Sequence, residues 1–203
     1  LQAAPDEQIS LTDPDARAMA TGSAHRGVVG YNVQAAVDTK HHIVVANAVT
    51  NRGHDRSHLL EMAKAAQAET GTPGMIALAD RGYYEGEQIR SCAEAGIIPM
   101  VPKPNTSPAQ ARGFWGKAMF VHEPKTDTYR CPAGEQLQKR FSRVEGTVEH
   151  VFGTIKGWMG ATHFRMRGLK NVATETSLVI LAYNMKRAIA VAGVASTLKA
   201  IAG

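Results

Sequence analysis

Two carboxylates and one lysine are the residues whose types and spacing suit chemistry. Asp80 closes the wholly apolar run Met75–Asp80 (MIALAD), and Glu149 lies in TVEHVFGTIK, seven residues before Lys156. Hard divalent cations such as Mg2+ take oxygen ligands, commonly one or two carboxylates completed by water and substrate phosphate. Phosphoryl transfer with two such ions needs acids from distant parts of a chain to converge. On a helix, Lys156 stands two turns after Glu149 on the same face, where it would hold a phosphate while Glu149 holds metal. Each residue also has a plainer use: an acid after a strand forms turns and caps, and a Glu–Lys pair at this spacing is ordinary helix surface. His41, His42, His54 and His58 lack the HExxH context of a metal helix, although His54 and His58 stand four apart, so packing or surface roles are expected. Cys131 in CPAG is half of a zinc knuckle without the other half, and a chain with only Cys92 and Cys131 has no disulfide framework.

The elements that must position these groups follow from hydrophobic periodicity. Residues 1–25 are polar, with a turn-prone Asp13-Pro14-Asp15. Residues 27–38 (GVVGYNVQAAVD) alternate through Val29, Tyr31, Val33 and Ala35, and residues 42–49 (HIVVANAV) are β-branched, so the two predict a hairpin. Leu59, Met62, Ala63 and Ala66 mark a helix over 56–68, ended by Gly71, Pro73 and Gly74. MIALAD reads as a short strand buried on both faces. Residues 82–96 turn and then continue as a helix with Gly96 as its cap, and IIPMVPKP (97–104) is a further strand. Residues 105–140 read as irregular. From Ser142, Val144, Val148, Val151, Phe152, Ile155 and Met159 predict one amphipathic helix. A second runs over 172–192, with Leu178, Leu181, Ala182, Met185 and Ile189 as its apolar stripe. This order predicts an α/β fold with a mixed sheet flanked by helices and a basic C-terminal helical pair.

Charge sharpens the reading. The 203 residues carry 23 Lys/Arg and 18 Asp/Glu, but residues 139–203 hold 10 of the bases and only 3 of the acids. An acidic metal site beside a basic surface suits an enzyme acting on nucleic acid. With 44% hydrophobic residues the chain can bury a core. No apolar run approaches the ~18 residues of a membrane span, and the polar N-terminus LQAAPDEQIS is no secretory signal. A reducing cytoplasm is the expected compartment, and a first residue of Leu rather than Met reads as part of something longer.

Taken together, GYNVQAAVD, VTNRGHD, ALADRGYYEGEQI, SCAEAGIIPMVPKP, FVHEPKTDTYRCPAGEQL, TVEHVFGTIKGWMGATHF and LAYNMKRAIA resemble a bacterial insertion-sequence transposase of the DDE type. The resemblance runs from about LTDPDARAM to the end and rests on the order of the motifs. It implies a ribonuclease H-like, integrase-like domain over 26–203 after the polar segment 1–25. It further implies Mg2+- or Mn2+-dependent cleavage and strand transfer of DNA by a carboxylate triad. Asp80 matches the second catalytic aspartate, Glu149 the glutamate, and Lys156 a basic partner; Asp80 and Glu149 are expected to share the cation. Lys156, Arg165, Arg167 and Lys170 are the DNA-binding candidates. The implied partners are transposon ends and a further copy of the chain, with no membrane and no small-molecule substrate, in a cytoplasmic, nucleoid-associated setting.

The sequence departs from the family pattern at two places. The first aspartate normally sits in a DG-S/T strand upstream of GYNVQ, and no such segment occurs in the chain. Strand direction places Asp38 at the far end of the hairpin from the site, whereas Asp55, after the returning strand, comes back to the site edge as a peripheral residue. After CPAGEQL, QKRFSRVEG follows directly where relatives carry a cysteine-bearing insertion, and Glu145 and Gly146 stand where an arginine is often found. The competing expectations are therefore a DDE transposase whose chemistry belongs to a full-length parent, a catalytically incomplete DNA-binding remnant, and, from the carboxylates alone, an unrelated Mg2+ nuclease or phosphatase.

Overall fold

A computed structural model describes residues 9–19, 28–104, 113–116, 119–138 and 147–202. The chain divides into two units, Leu1–Pro102 with Gly146–Gly203, and Lys103–Glu145. In the first, β1 (Arg17–Met19) pairs antiparallel with β2 (Val28–Gly30). The expected hairpin is present as β3 (Asn32–Val37) and β4 (Val44–Thr50), in register from Asn32 opposite Thr50 to Val37 opposite Val44. Its turn is held by the Asp38 carboxylate, which accepts the backbone N–H of Lys40 at 3.3 Å and of His41 at 2.6 Å. Helix α1 (Leu59–Thr70) buries Leu59, Met62, Ala63 and Ala66, the face read from the sequence, and ends at a left-handed Gly71. Strand β5 (Ile76–Leu78) runs parallel to β6 (Ile98–Met100), joined by α2 (Gly86–Glu94), as parallel pairing requires a crossover. Gln88 of α2 accepts the otherwise orphaned N–H of Leu60 in the first turn of α1.

The C-terminal helices are α3 (Thr147–Gly153), continued by one π-helical turn (Thr154–Trp158), α4 (Leu169–Ala192) and α5 (Val194–Ala202). Val151, Ile155, Ile180 and Tyr183 of α3, the π turn and α4 pack on Val44, with Ala35 and Val37 at the margin. A second cluster joins Leu59, Ala63, Cys92 and Ile97 from α1, α2 and the start of the following strand. Alternation along β3 thus gives Ala35 and Val37 to the α3–α4 side and leaves Asn32 and Gln34 for the opposite face.

The structure corrects four expectations. The strands do not form one mixed sheet: among the described residues β3–β4 and β5–β6 are separate two-stranded sheets. MIALAD is a strand, but it is covered on one face only. Ala77 and Ala79 pack against the second cluster, while Ile76 and Leu78 are 41% and 46% exposed, because the helices flanking this pair lie on the alanine side. The expected stripe of α4 faces outward, with Leu178 61% and Leu181 55% exposed; the buried positions are Val172, Thr176, Ile180 and Tyr183. This helix is apolar around most of its circumference, so periodicity alone offers two faces, and polar contacts select between them. The Tyr183 hydroxyl donates to His42 O at 2.7 Å, and Asn184 pairs with both Val44 N (2.9 Å) and Val44 O (2.8 Å). Finally, the helix anticipated from Ser142 is present from Thr147, but Val148 of its expected apolar stripe is exposed; residues 142–146 lie outside the described residues.

The N-terminal polar segment has a defined task. Asp13 accepts the Tyr31 hydroxyl at 2.8 Å and the N–H of Gly168, and Asp15 accepts the N–H of Leu169 at 2.9 Å. Two acids from this segment therefore satisfy the first amides of α4, where the helix dipole favours negative charge. Burial, the bond to Asp13 and the charges of Asp13 and Asp15 push the Tyr31 phenol up to about 12.

The second unit contains an antiparallel meander where the sequence reads as irregular: β7 (Val121–Glu123), β8 (Thr128–Arg130) and β9 (Gln136–Gln138). Its strands are only three residues long, too short for alternation to register. The β7–β8 turn carries a left-handed Asp127, with His122 2.9 Å from its carboxylate. Cys131 is buried beside the β8–β9 turn, where its N–H donates to Glu135 O at 2.9 Å.

Candidate functional site

Asp80 follows β5 in extended conformation and caps a short 3-10 turn (Arg81–Tyr83), its Oδ1 accepting the Gly82 N–H at 2.6 Å. Asp55 lies in the loop after β4. Its Oδ1 accepts two side-chain amides from β3, Asn32 Nδ2 and Gln34 Nε2, each at 2.7 Å. The two carboxylates meet across Gly82: a Cβ built there would stand 2.9 Å from Asp80 Oδ1 and 3.6 Å from Asp55 Oδ2. A side chain at Gly82 would crowd the backbone-bound Asp80 oxygen, so glycine is what lets this turn pass between the two acids. Oδ2 of each acid has no hydrogen-bond partner among the described residues.

Behind the pair, Gln34 is 1% exposed. Its Nε2 also donates to Asn32 Oδ1 at 2.9 Å, and its Oε1 accepts the Tyr83 hydroxyl at 2.5 Å. Burial first, then the charges of Asp55 and Asp80, raise the Tyr83 phenol well above its ordinary value, against the opposing effect of the Gln34 bond. Tyr83 is thereby held as a neutral donor at every physiological pH.

The donor chemistry fits a hard divalent cation. Two carboxylates flank one glycine, each with an oxygen that meets no donor among the described residues, and Mg2+ needs only one or two such ligands besides water and phosphate. Among the described residues, however, no group of three His, Cys, Asp or Glu is arranged to hold a metal. Glu149 is exposed in the first turn of α3. The next residue, His150, rests its ring on His42 in the hairpin turn, with centroids 4.9 Å apart. Six residues of β3, roughly 17–20 Å of strand, separate that turn from Asn32. The structure thus brings Asp80 to Asp55 and starts the Glu149 helix at the opposite end of the hairpin. Asp38 also belongs to that opposite end, in the turn.

The basic candidates are exposed. The Lys156 ammonium lies 5.9 Å from the Phe152 ring centroid. Arg165 and Arg167 ride on a segment pinned from two sides. Glu175 accepts the N–H groups of Arg165 (3.0 Å) and Met166 (2.9 Å), and Phe164 meets Tyr31 edge-on at 6.1 Å. Tyr31 directly precedes Asn32, so these arginines, with Lys170 at the start of α4, stand at the same end of the hairpin as Asp55 and Asp80. Three of the four histidines singled out take structural places: His41 pairs with Asp38 at 3.2 Å, His42 rests against His150, and His58 is buried with Glu61 3.9 Å away, whereas His54 is exposed.

Sequence reasoning missed Asn32, Gln34 and Tyr83. No local signal marked the amides: Asn32 and Gln34 alternate with Tyr31, Val33 and Ala35 as the polar face of any half-buried strand does. Against known proteins, a family model described as the transposase DDE domain matches residues 5–185. No curated protein and no solved structure matches the chain.

Proposed function

The chain belongs to the transposase DDE domain family, an enzyme family that acts on DNA, and from that premise we propose how its residues divide the work. Asp80 holds a divalent cation, Mg2+ or Mn2+, with Asp55 beside it; Glu149 is assigned to the site by the family likeness alone. When bound, such an ion polarises a phosphoryl oxygen and lowers the pKa of water. The protein's own part is to fix Asp80 through the Gly82 amide and to keep the outer oxygens of Asp80 and Asp55 open. The small Gly82 leaves space for a DNA backbone to approach. Arg165, Arg167 and Lys170 neutralise phosphates at this end, with Lys156 in the π-helical turn that follows α3. The order hairpin, helix, strand, helix, parallel strand supports reading the first unit as ribonuclease H-like.

The observation that carries this reading is the meeting of Asp80 and Asp55 across Gly82, at the hairpin end that also carries the arginines. A Mn2+ titration followed by electron paramagnetic resonance, beside a DNA gel-shift series, tests it. The wild-type chain is expected to take up Mn2+ and the Asp80→Asn variant not to. DNA is expected to be held at low salt and released as salt rises. Equal Mn2+ uptake by both proteins overturns the metal assignment, and DNA binding with no Mn2+ uptake favours the catalytically incomplete remnant.

A further inference from the structure

The two acids of the site hang from different sheets. Asp55 follows β4, Asp80 follows β5, and among the described residues no backbone ladder joins β3–β4 to β5–β6. Their separation must therefore be set by something other than strand pairing. Helix α1 packs against both pairs, and among the described residues one hydrogen-bonded side-chain path crosses the gap. Gln34 Nε2 donates to Asp55 Oδ1 at 2.7 Å, Gln34 Oε1 accepts from Tyr83 at 2.5 Å, and Tyr83 ends the 3-10 turn capped by Asp80. The Tyr83 ring is anchored in turn against the α1–α2 cluster.

We infer that Gln34 and Tyr83 are positioning residues, an amide–phenol strut that sets the distance between Asp55 and Asp80 across two unpaired sheets. The residue types fit this task. An amide donates to a carboxylate through its nitrogen and accepts from a phenol through its oxygen, whereas a glutamate at position 34 would set a third negative charge against Asp55. Burying an amide is costly unless its groups are bonded, and at 1% exposure Gln34 uses both its oxygen and its nitrogen. The Tyr83 hydroxyl must keep its proton to donate, and its burial beside two acids ensures that it does.

This inference rests on the reading that Asp80 holds a cation, and the experiment separates the two. Mn2+ affinity of the full chain is measured by electron paramagnetic resonance for wild type, Asp80→Asn, Tyr83→Phe and Gln34→Met, with thermal melting of each cation-free protein by circular dichroism. Tyr83→Phe keeps the ring and removes only the bridge. Supporting groups around metal ligands typically carry about 10–100-fold in affinity, so Tyr83→Phe is expected to weaken Mn2+ binding about 10-fold and Gln34→Met by more. Both should remain folded at 25 °C, with an altered spectrum of bound Mn2+. Wild-type affinity and spectrum in both variants would overturn the strut. So would cation-free unfolding of both at 25 °C, which would make the pair core support. Failure of the underlying reading appears elsewhere, as no uptake by wild type or full uptake by Asp80→Asn, and the strut falls with it.

Discussion

The two ends of the β3–β4 hairpin carry aspartates in opposite employment. At the turn, Asp38 is consumed by its own loop: burial pushes its carboxyl up, but the N–H groups of His41 and Lys40 and the His41 ring together hold it below the ordinary carboxylate range. Tyr183, Asn184 and Arg187 of α4 bond to His42 O, to Val44 N and O, and to His41 O, locking the turn to the helix. At the other end, among the described residues, Asp55 is held by side-chain amides on one oxygen only, and Asp80 by a single backbone N–H. Donors from the local backbone make an acid a cap. Donors from side chains on a neighbouring strand fix an acid while leaving an oxygen for something else. The contrast is between an end whose acid is used up in local bonding and the end proposed for chemistry.

Substitutions should separate the two ends. The largest effect is expected at Asp80: Asp80→Ala in an active transposase bearing this domain should lower strand cleavage and transfer by more than about 100-fold, the upper range for mere supporting groups. Asp38→Ala should leave that rate near wild type while costing about 1 kcal/mol in urea unfolding, the net value of a hydrogen bond. Equal rate losses at both positions would erase the distinction.

Next in size is Asn184→Ala. It leaves the N–H and C=O of Val44 unpaired where the helix covers them, and should cost about 1–3 kcal/mol by urea unfolding with Mn2+ uptake unchanged. A drop in Mn2+ affinity at equal foldedness would show that the two ends are coupled.

The double substitution Arg165→Ala with Arg167→Ala should reduce the salt slope of DNA binding by about 2, equivalent to roughly 10-fold at the low-salt end of a 50–200 mM series. The measurement is a fluorescence-anisotropy titration, and an unchanged slope would remove these arginines from the interface. Melting temperature should hardly move, because both side chains are exposed.

The smallest effect is a pH dependence. The Asp38 carboxyl is lowered on folding, so its contribution is fully present above the unfolded value near 4 and is lost as pH falls through its lower folded value. Urea midpoints should therefore decline less steeply below about pH 4 in Asp38→Asn than in wild type. Identical acid limbs would assign the turn's stability to the α4 contacts alone.

The sequence by itself determined the local elements and the acid at the end of β5. Alternation in residues 32–37, the buried face of α1, the glycine ends of α1 and α2, and the order of motifs that placed the chain among DDE transposases are all short-range patterns. Such patterns survive because each depends on residues within a few turns or along one strand. Tertiary structure decided the rest. Periodicity could not choose the buried face of α4, since both faces are apolar; Asn184 and Tyr183 chose it by finding the hairpin turn. Nothing local marked Asp13 and Asp15 as caps for a helix 155 residues away. The site shows the same division. Asp80 is legible because it closes an apolar run and stands in the motif ADRGYY, which carries the family resemblance. Gln34 and Tyr83 become meaningful only when two sheets with no shared hydrogen bonds are brought side by side, because their role is to span a gap that exists only in the folded chain.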